Sequence, residues 1–282
     1  MEEDEILNMT IELTRRQQQM LTDKQQIVLD LLSTCPDNES RQMVYNLLIN
    51  FSEMNEDIYN LALIELKKHI INKNIPYESI GIIATSKDDD PDSSQEVAQS
   101  FKLTWALDGH PPVNIKNSFK ARSTLIKKEN KRHIFLLDDF IGSGKTCRSR
   151  YTVLKNEFKD ITDLHIYFCF IAGMQHAIKA LQEEGIDIYC AYTMKKGISE
   201  YYSNPKDIAI HIAQMKNLES TLAPKINETL LSEHTLGYGM AEALFCRRYQ
   251  NIPNNVFPIF WWKKNINETK RHTLYTRVQN GY

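Results

Sequence analysis

Apolar positions in the first quarter of the chain recur at helical spacing. Ile6, Met9, Leu13 and Met20 fall on one face, and IVLDLL, MVYNLLINF and IYNLALIELKKHII carry the same period to about residue 73. Asp37, Asn38 and Ser40 interrupt it and are of the types that break or cap helices. Residues 1–75 therefore read as a helical amino-terminal region whose Leu, Ile and Met stripes are packing faces rather than a cofactor box.

From Ser79 the period changes. Short continuous apolar runs, ESIGIIAT (78–85), HIFLLDD (133–139), LHIYFCFIAG (164–173) and IDIYCAYTM (186–194), alternate with the amphipathic stretches SSQEVAQSFKLTW, KTCRSRYTVLKNEF and MQHAIKALQEEG. A strand apolar at every position is covered on both faces, and strands alternating with helices imply parallel neighbours. Residues 76–282 are thus expected to form an α/β domain with a mostly parallel, doubly wound sheet, its first helix capped by Ser93 or Ser94, and the amino-terminal helices as an extension. Ligands of such sheets bind beyond the carboxyl ends of the strands.

Composition adds bounds. The chain has 282 residues, 42% of them hydrophobic and 25% charged, enough for a sizeable buried core. No apolar run approaches the roughly 20 residues of a membrane span, and MEEDEILNMT is acidic where a signal segment carries basic residues. A cytoplasmic protein that does not enter a membrane is expected. The five cysteines lack CxxC spacing and read as buried free thiols. Charge is uneven: seven Lys or Arg lie between Lys116 and Arg132 against the single acid Glu129, whereas Asp88, Asp89, Asp90 and Asp92 cluster upstream. The basic stretch suits either a polyanion or a solvated loop. The histidines lie in different elements and offer no convincing catalytic pair.

The candidate chemistry sits in IFLLDDFIGSGKT, Ile134 to Thr146. Its end matches a nucleoside-triphosphate P-loop, but that motif needs a glycine five positions before Gly144, where this chain has Asp139. Read from the strand forward, Asp138 and Asp139 stand at a strand end and can accept hydrogen bonds from vicinal sugar hydroxyls. Gly142, Ser143, Gly144, Lys145 and Thr146 then offer backbone N–H groups, two hydroxyls and a helix amino terminus to one phosphate. The spacing fits a ribose 5-phosphate.

This stretch resembles the phosphoribosyl pyrophosphate signature of type I phosphoribosyltransferases, four hydrophobic residues, two acids, two hydrophobic residues and a small-residue turn, with Gly142 in place of the more usual Thr. A second stretch, LGYGMAEALFCRRYQNIPNNVFPIFWW (236–262), resembles the closing segment of a divergent branch found in bacterial conflict systems, the PRTase-CE-like proteins, including effectors that accompany retrons. The resemblance implies Mg²⁺-assisted transfer at the ribosyl C1, with the metal held by substrate oxygens and water rather than a protein cage. It gives Asp138 and Asp139 the catalytic role and residues 142–146 the 5-phosphate.

It also implies a pyrophosphate loop at Ala84, Thr85, Ser86 and Lys87, aided by Lys120, Arg122, Lys127 and Lys128, and an acceptor pocket at Phe140, Tyr192 and Lys195. Tyr238, Asn254, Asn255, Trp261 and Trp262 of the closing segment suit a lid or a subunit interface; if the two tryptophans lie in a strand they face opposite sides, one in the core and one at a surface. The chain departs from the family where Lys87 is followed by four aspartates, which repel a pyrophosphate. Three functions stay open: an antiphage effector acting on phosphoribosyl pyrophosphate, a nucleotide or nucleic acid; a ribose-phosphate sensor without chemistry; and a partner, monomeric or oligomeric, of a reverse transcriptase and its RNA/DNA product.

Overall fold

The computed structural model describes residues 2–86, 92–107 and 109–278, and the protein divides into two compact units, Glu56–Met194 and the pair of segments Met1–Asn55 and Lys195–Tyr282. The helix Glu56–Asn72, grouped by periodicity with the amino-terminal region, thus belongs with the sheet, and the first helices belong with the chain after Lys195.

Within Glu56–Met194 five parallel strands form one sheet: β1 (Ile80–Ala84), β2 (Asn114–Lys116), β3 (His133–Ile141), β4 (His165–Met174) and β5 (Asp187–Met194), in the order β2-β1-β3-β4-β5. The helices are α1 (Glu56–Asn72), α2 (Ser93–Ala106), α3 (Lys145–Glu157) and α4 (Gln175–Glu183). Every residue of β1 is buried, as are Ile134–Leu137 and Phe168–Met174. That double-sided cover is what the unbroken apolar runs require. α1 packs on β4 and β5, with His69 stacked on Tyr189 at 4.1 Å.

Three local readings change. The cap of α2 is Asp92, whose carboxylate accepts from Ser94 N at 2.8 Å and from Ser94 Oγ at 2.6 Å; a charged acceptor one residue earlier outcompetes the serine hydroxyls. The strand expected over 78–85 starts at Ile80, after a single 3₁₀ turn at Tyr77–Ser79. β2 was not expected at all, since three half-buried residues at a sheet edge carry no apolar signature.

In the other unit the helices Glu2–Arg16, Gln25–Ser33, Asn38–Ile49 and Pro205–Glu219 surround a core that includes Leu13, Leu21, Val28, Leu32, Val44 and Leu48. Asp37 caps its helix as its position suggests, accepting from Ser40 N at 2.7 Å. The short strand Ser52–Met54 pairs in parallel with Phe245–Arg247. The segment 236–262 folds back on itself: Tyr238 N donates to Asn254 O at 2.8 Å, and Asn255 Nδ2 donates to Tyr238 O at 2.8 Å. Gly237 makes this close approach possible, because it has φ +78° and a Cβ there would lie 1.8 Å from Asn255 O.

Trp261 and Trp262 do not divide between core and surface. They leave a 3₁₀ turn at Pro258–Phe260, not a strand, and both are buried, each indole N–H donating at 2.9 Å to a backbone carbonyl, of Val256 and Ala223 respectively. Among the described residues no helix is long and apolar enough to cross a membrane. The cysteines are free thiols, four buried and Cys190 half-buried.

Candidate functional site

The strand order turns between β1 and β3, so the chain leaves these neighbours toward opposite edges of the sheet and opens a crevice beyond their carboxyl ends. Two expected groups meet there. The register Ala84↔Leu137 sets Thr85 beside Asp138, and Thr85 Oγ1 donates to Asp138 Oδ2 at 2.5 Å while Asp139 N donates to Asp138 Oδ1 at 2.9 Å. Burial pushes the Asp138 carboxyl well above the ordinary carboxylate range, and the charge of Asp139 pushes it further; the Thr85 hydroxyl pulls the other way. Asp138 therefore leans toward the neutral acid, which can donate as well as accept a hydrogen bond.

From Asp138 the strand runs through Ile141 into Gly142, Ser143 and Gly144, and α3 begins at Lys145. Gly144 stands at the helix cap with φ +76°, and a Cβ on it would come 2.7 Å from Leu181 Cδ1, so both conformation and space select glycine. No side chain caps this helix. The N–H groups of Ser143, Gly144, Thr146 and Cys147 meet no acceptor among the described residues, and Lys145 N makes one long bond, 3.5 Å, to Ser143 Oγ. Open amides on either side of Lys145 at a helix amino terminus, where the helix dipole is positive, form an anion cradle. The side chains of Lys145 and Thr146 are exposed beside it.

The stretch after β1 is arranged differently. Thr85 N donates to Leu137 O at 3.2 Å and Ser86 N to Ser94 Oγ at 3.0 Å, while Thr85 O accepts from Arg150 Nε at 2.8 Å and Ser86 O from Phe119 N at 2.9 Å. All four backbone groups of Thr85 and Ser86 are thus engaged inside the protein. Lys87 and the aspartates 88 to 90 lie outside the described residues. Arg150, buried on α3, and Phe119 were not anticipated; the Arg150 guanidinium also lies 4.9 Å over the Phe119 ring. A basic residue in KTCRSR gives no sign that it turns inward.

Most of the basic segment is committed as well. Lys116 pairs with Glu129 at 3.4 Å, Arg122 with Glu157 at 2.7 Å and Arg132 with Asp163 at 3.2 Å. Lys131 Nζ donates to Glu78 O at 2.6 Å, and Lys127 Nζ lies 5.4 Å over the Phe158 ring. Arg122 is held further by Phe119, whose ring it covers at 4.7 Å. Lys120 is exposed, on the 3₁₀ turn Phe119–Ala121.

Of the acceptor candidates, Phe140 and Tyr192 are both in register with Ala172 of β4 and so stand on the same face of the sheet as Asp138, two residues before Phe140. Phe140 is half-buried and Tyr192 is 36% exposed. Lys195 is the first residue of the other compact unit. The strand ladder also stacks His133 on His165, ring centroids 4.7 Å apart, a pairing not anticipated from their distant positions. They sit at the amino ends of β3 and β4, the end opposite the acids, and burial, then His165, holds the His133 imidazole below its ordinary value.

Comparison with curated proteins finds no match. Comparison with protein families matches PRTase-CE over residues 17–277, a span that starts just after the helix Glu2–Arg16 and takes in the helices that follow it, the five-stranded sheet and the segment 236–262. The chain belongs to the PRTase-CE family and carries a phosphoribosyltransferase-like domain.

Proposed function

We propose that the crevice beyond β1 and β3 grips a ribose 5-phosphate unit and that the domain transfers or cleaves at the ribosyl C1. The observation that carries this is the uncapped start of α3, with Gly144 in a left-handed conformation and open amides at Ser143, Gly144, Thr146 and Cys147, directly after the acidic pair. The phosphate sits in the amides, and the Asp138 and Asp139 carboxyls hold the vicinal hydroxyls. The upward push on the Asp138 carboxyl serves this well: in its protonated form it donates to one hydroxyl oxygen, and Asp139 accepts from the next. As charge develops at C1, the same acids lie at the strand end to stabilise it.

Mg²⁺, which the family implies, would neutralise phosphate charge. Asp138 in its neutral form is a poor metal ligand, so the ion would be held chiefly by oxygens of the ligand and water, as Mg²⁺ tolerates. The biological setting we propose is that of an effector in bacterial antiphage defence, controlled by a reverse transcriptase and its nucleic-acid product. Support for this is the likeness of the closing segment to the conflict-system branch. The engaged amides of Thr85 and Ser86 favour a second reading, a ribose-phosphate sensor without turnover.

One comparison separates the two. Nucleotides from cells expressing the protein are measured by mass spectrometry beside cells expressing Asp138→Asn with Asp139→Asn. A nucleotide depleted or a ribosylated product formed only with the acids intact supports the enzyme. Identical profiles, from variants that fold equally, sink it.

A further inference from the structure

The closing stretch of the chain is basic. Between Ala243 and Val278 it carries seven Lys or Arg and the single acid Glu268, an imbalance as large as that of residues 116–132. Two of these cations are turned inward. Arg271 donates to the carbonyls of Trp262 and Ile259 at 2.7 and 3.1 Å, and Arg277 donates to Ile252 O at 2.5 Å with its guanidinium 5.6 Å over the Trp261 ring. Arg247 and Arg248 instead line a cavity of about 420 Å³.

Every residue lining this cavity belongs to the unit made of Met1–Asn55 and Lys195–Tyr282. It is built on the parallel pair Ser52–Met54 and Phe245–Arg247, whose register sets Glu53 beside Cys246. The 3₁₀ turn Thr22–Lys24 adds Asp23 and Lys24, and Lys24 Nζ lies 4.5 Å over the ring of Tyr275, itself stacked on Phe51 at 4.7 Å. A ring contact leaves the ammonium its three N–H donors. Glu53 holds Arg248 at 2.6 Å, so those two charges cancel, and Lys24 and Arg247 stand against Asp23 alone.

Tyr249, on the same cavity, is 97% exposed. It sits in a turn closed by Gln250 N donating to Arg247 O at 3.1 Å, and its φ is +60°, at the place in such a turn where glycine is favoured. A bulky residue in the left-handed region is strained, and a ring almost wholly in water gains little from packing to offset that. Strain of this kind collects where ligands are gripped.

We propose that this cavity and Tyr249 bind single-stranded nucleic acid, with one unstacked base on the Tyr249 ring and the adjoining phosphates on Lys24 and Arg247. Bases of a single strand offer a flat face to an exposed aromatic, which bases inside a duplex do not, and the cavity is of the size that takes a small-molecule unit such as one nucleoside. An acidic polypeptide would meet the cations but has no need of the exposed ring. None of the residues involved belongs to the crevice beyond β1 and β3, so the proposal does not rest on the ribose 5-phosphate reading.

The test is fluorescence anisotropy of labelled oligothymidylate and oligouridylate of about 12 nucleotides, titrated with the full chain. At least one strand is expected to bind, the comparison of the two telling DNA from RNA. Affinity should fall about seven-fold between about 50 and 200 mM salt, as two phosphate contacts on a single strand require, and Arg247→Gln should halve that salt slope. Tyr249→Ala should weaken binding about ten-fold with thermal unfolding unchanged, since the side chain is exposed, and Tyr249→Phe, which keeps the ring, should bind as the wild type does. Asp138→Asn with Asp139→Asn should also bind as the wild type does. Failure of both strands to bind, equal binding of a duplex of the same length, or an affinity that Tyr249→Ala leaves unchanged overturns the proposal. Equally tight, Tyr249-dependent binding of polyglutamate overturns it too, making the occupant an acidic polypeptide.

Discussion

Glu219 offers a prediction about stability whose sign follows from its burial. It ends the helix Pro205–Glu219, is 2% exposed, and both its carboxyl oxygens lie within hydrogen-bond reach of Leu236 N, at 3.0 and 3.1 Å. Burial pushes the carboxyl up from 4.5 to about 8, against the opposing pull of the Leu236 N–H and of Lys216. Between those two values the folded protein holds a proton that the unfolded chain has released, so stability must fall as pH rises through the window. The slope for one proton is about 1.4 kcal/mol per pH unit, which over this interval sets a ceiling near 5 kcal/mol. Glu219→Gln keeps an oxygen to accept from Leu236 N and removes the titration. Urea unfolding at pH 4, 6, 7 and 8 should find the two proteins within about 0.5 kcal/mol of each other at pH 4, with the variant gaining at most about 4 kcal/mol by pH 8. Even a third of that ceiling exceeds the effect of an ordinary surface substitution. Parallel curves for the two proteins across the range would falsify the claim that the carboxyl is buried as a neutral acid.

Other substitutions address the crevice and the closing segment. Gly144→Ala should cost about 1–3 kcal/mol in thermal or urea unfolding and abolish ribose 5-phosphate binding, because φ +76° is strained for alanine and its Cβ would meet Leu181. Arg150→Met leaves the Thr85 carbonyl without its buried donor, which should lower stability by about 1–3 kcal/mol; calorimetry should also show weaker ribose 5-phosphate binding, since Thr85 holds Asp138. Trp262→Phe should destabilise by a similar amount in the same unfolding assay, as Ala223 O loses its indole donor inside a packed core.

The parts of the fold legible in the sequence are those where one physical requirement governs a whole segment. β1, Ile134–Leu137 of β3 and most of β4 are buried on both faces, so each shows an unbroken apolar run; β5 has such a run too but lies at the sheet edge with only Ile188 buried, so the cover expected on both its faces is not there. Segments under weaker demands stayed hidden. β2 has three half-buried residues, and Pro205–Glu219 buries only Met215, Leu218 and Glu219, so its apolar stripe is faint. Its terminal signals were nonetheless present: Asn204 accepts from Lys206 N at 3.0 Å, and Pro205 occupies the first helical position. The tryptophan pair was misjudged because period-two logic applies to strands, and Pro258 places the pair after a 3₁₀ turn instead.

At the candidate site a similar division separates identity from occupancy. Asp138, Asp139 and the turn 142–146 could be located by type and spacing, since a strand end followed by a helix start fixes where their groups stand. Whether a backbone N–H is open to a ligand depends on what else reaches it, and that is decided by residues far away in the chain. Ser86 N is closed by Ser94 of α2, and the carbonyls of Thr85 and Ser86 by Arg150 of α3 and by Phe119. No local pattern announces such partners. The same turn-and-strand grammar therefore yields an open cradle after β3 and a closed loop after β1. That asymmetry, which no motif shows, is what distinguishes the two neighbouring strand ends.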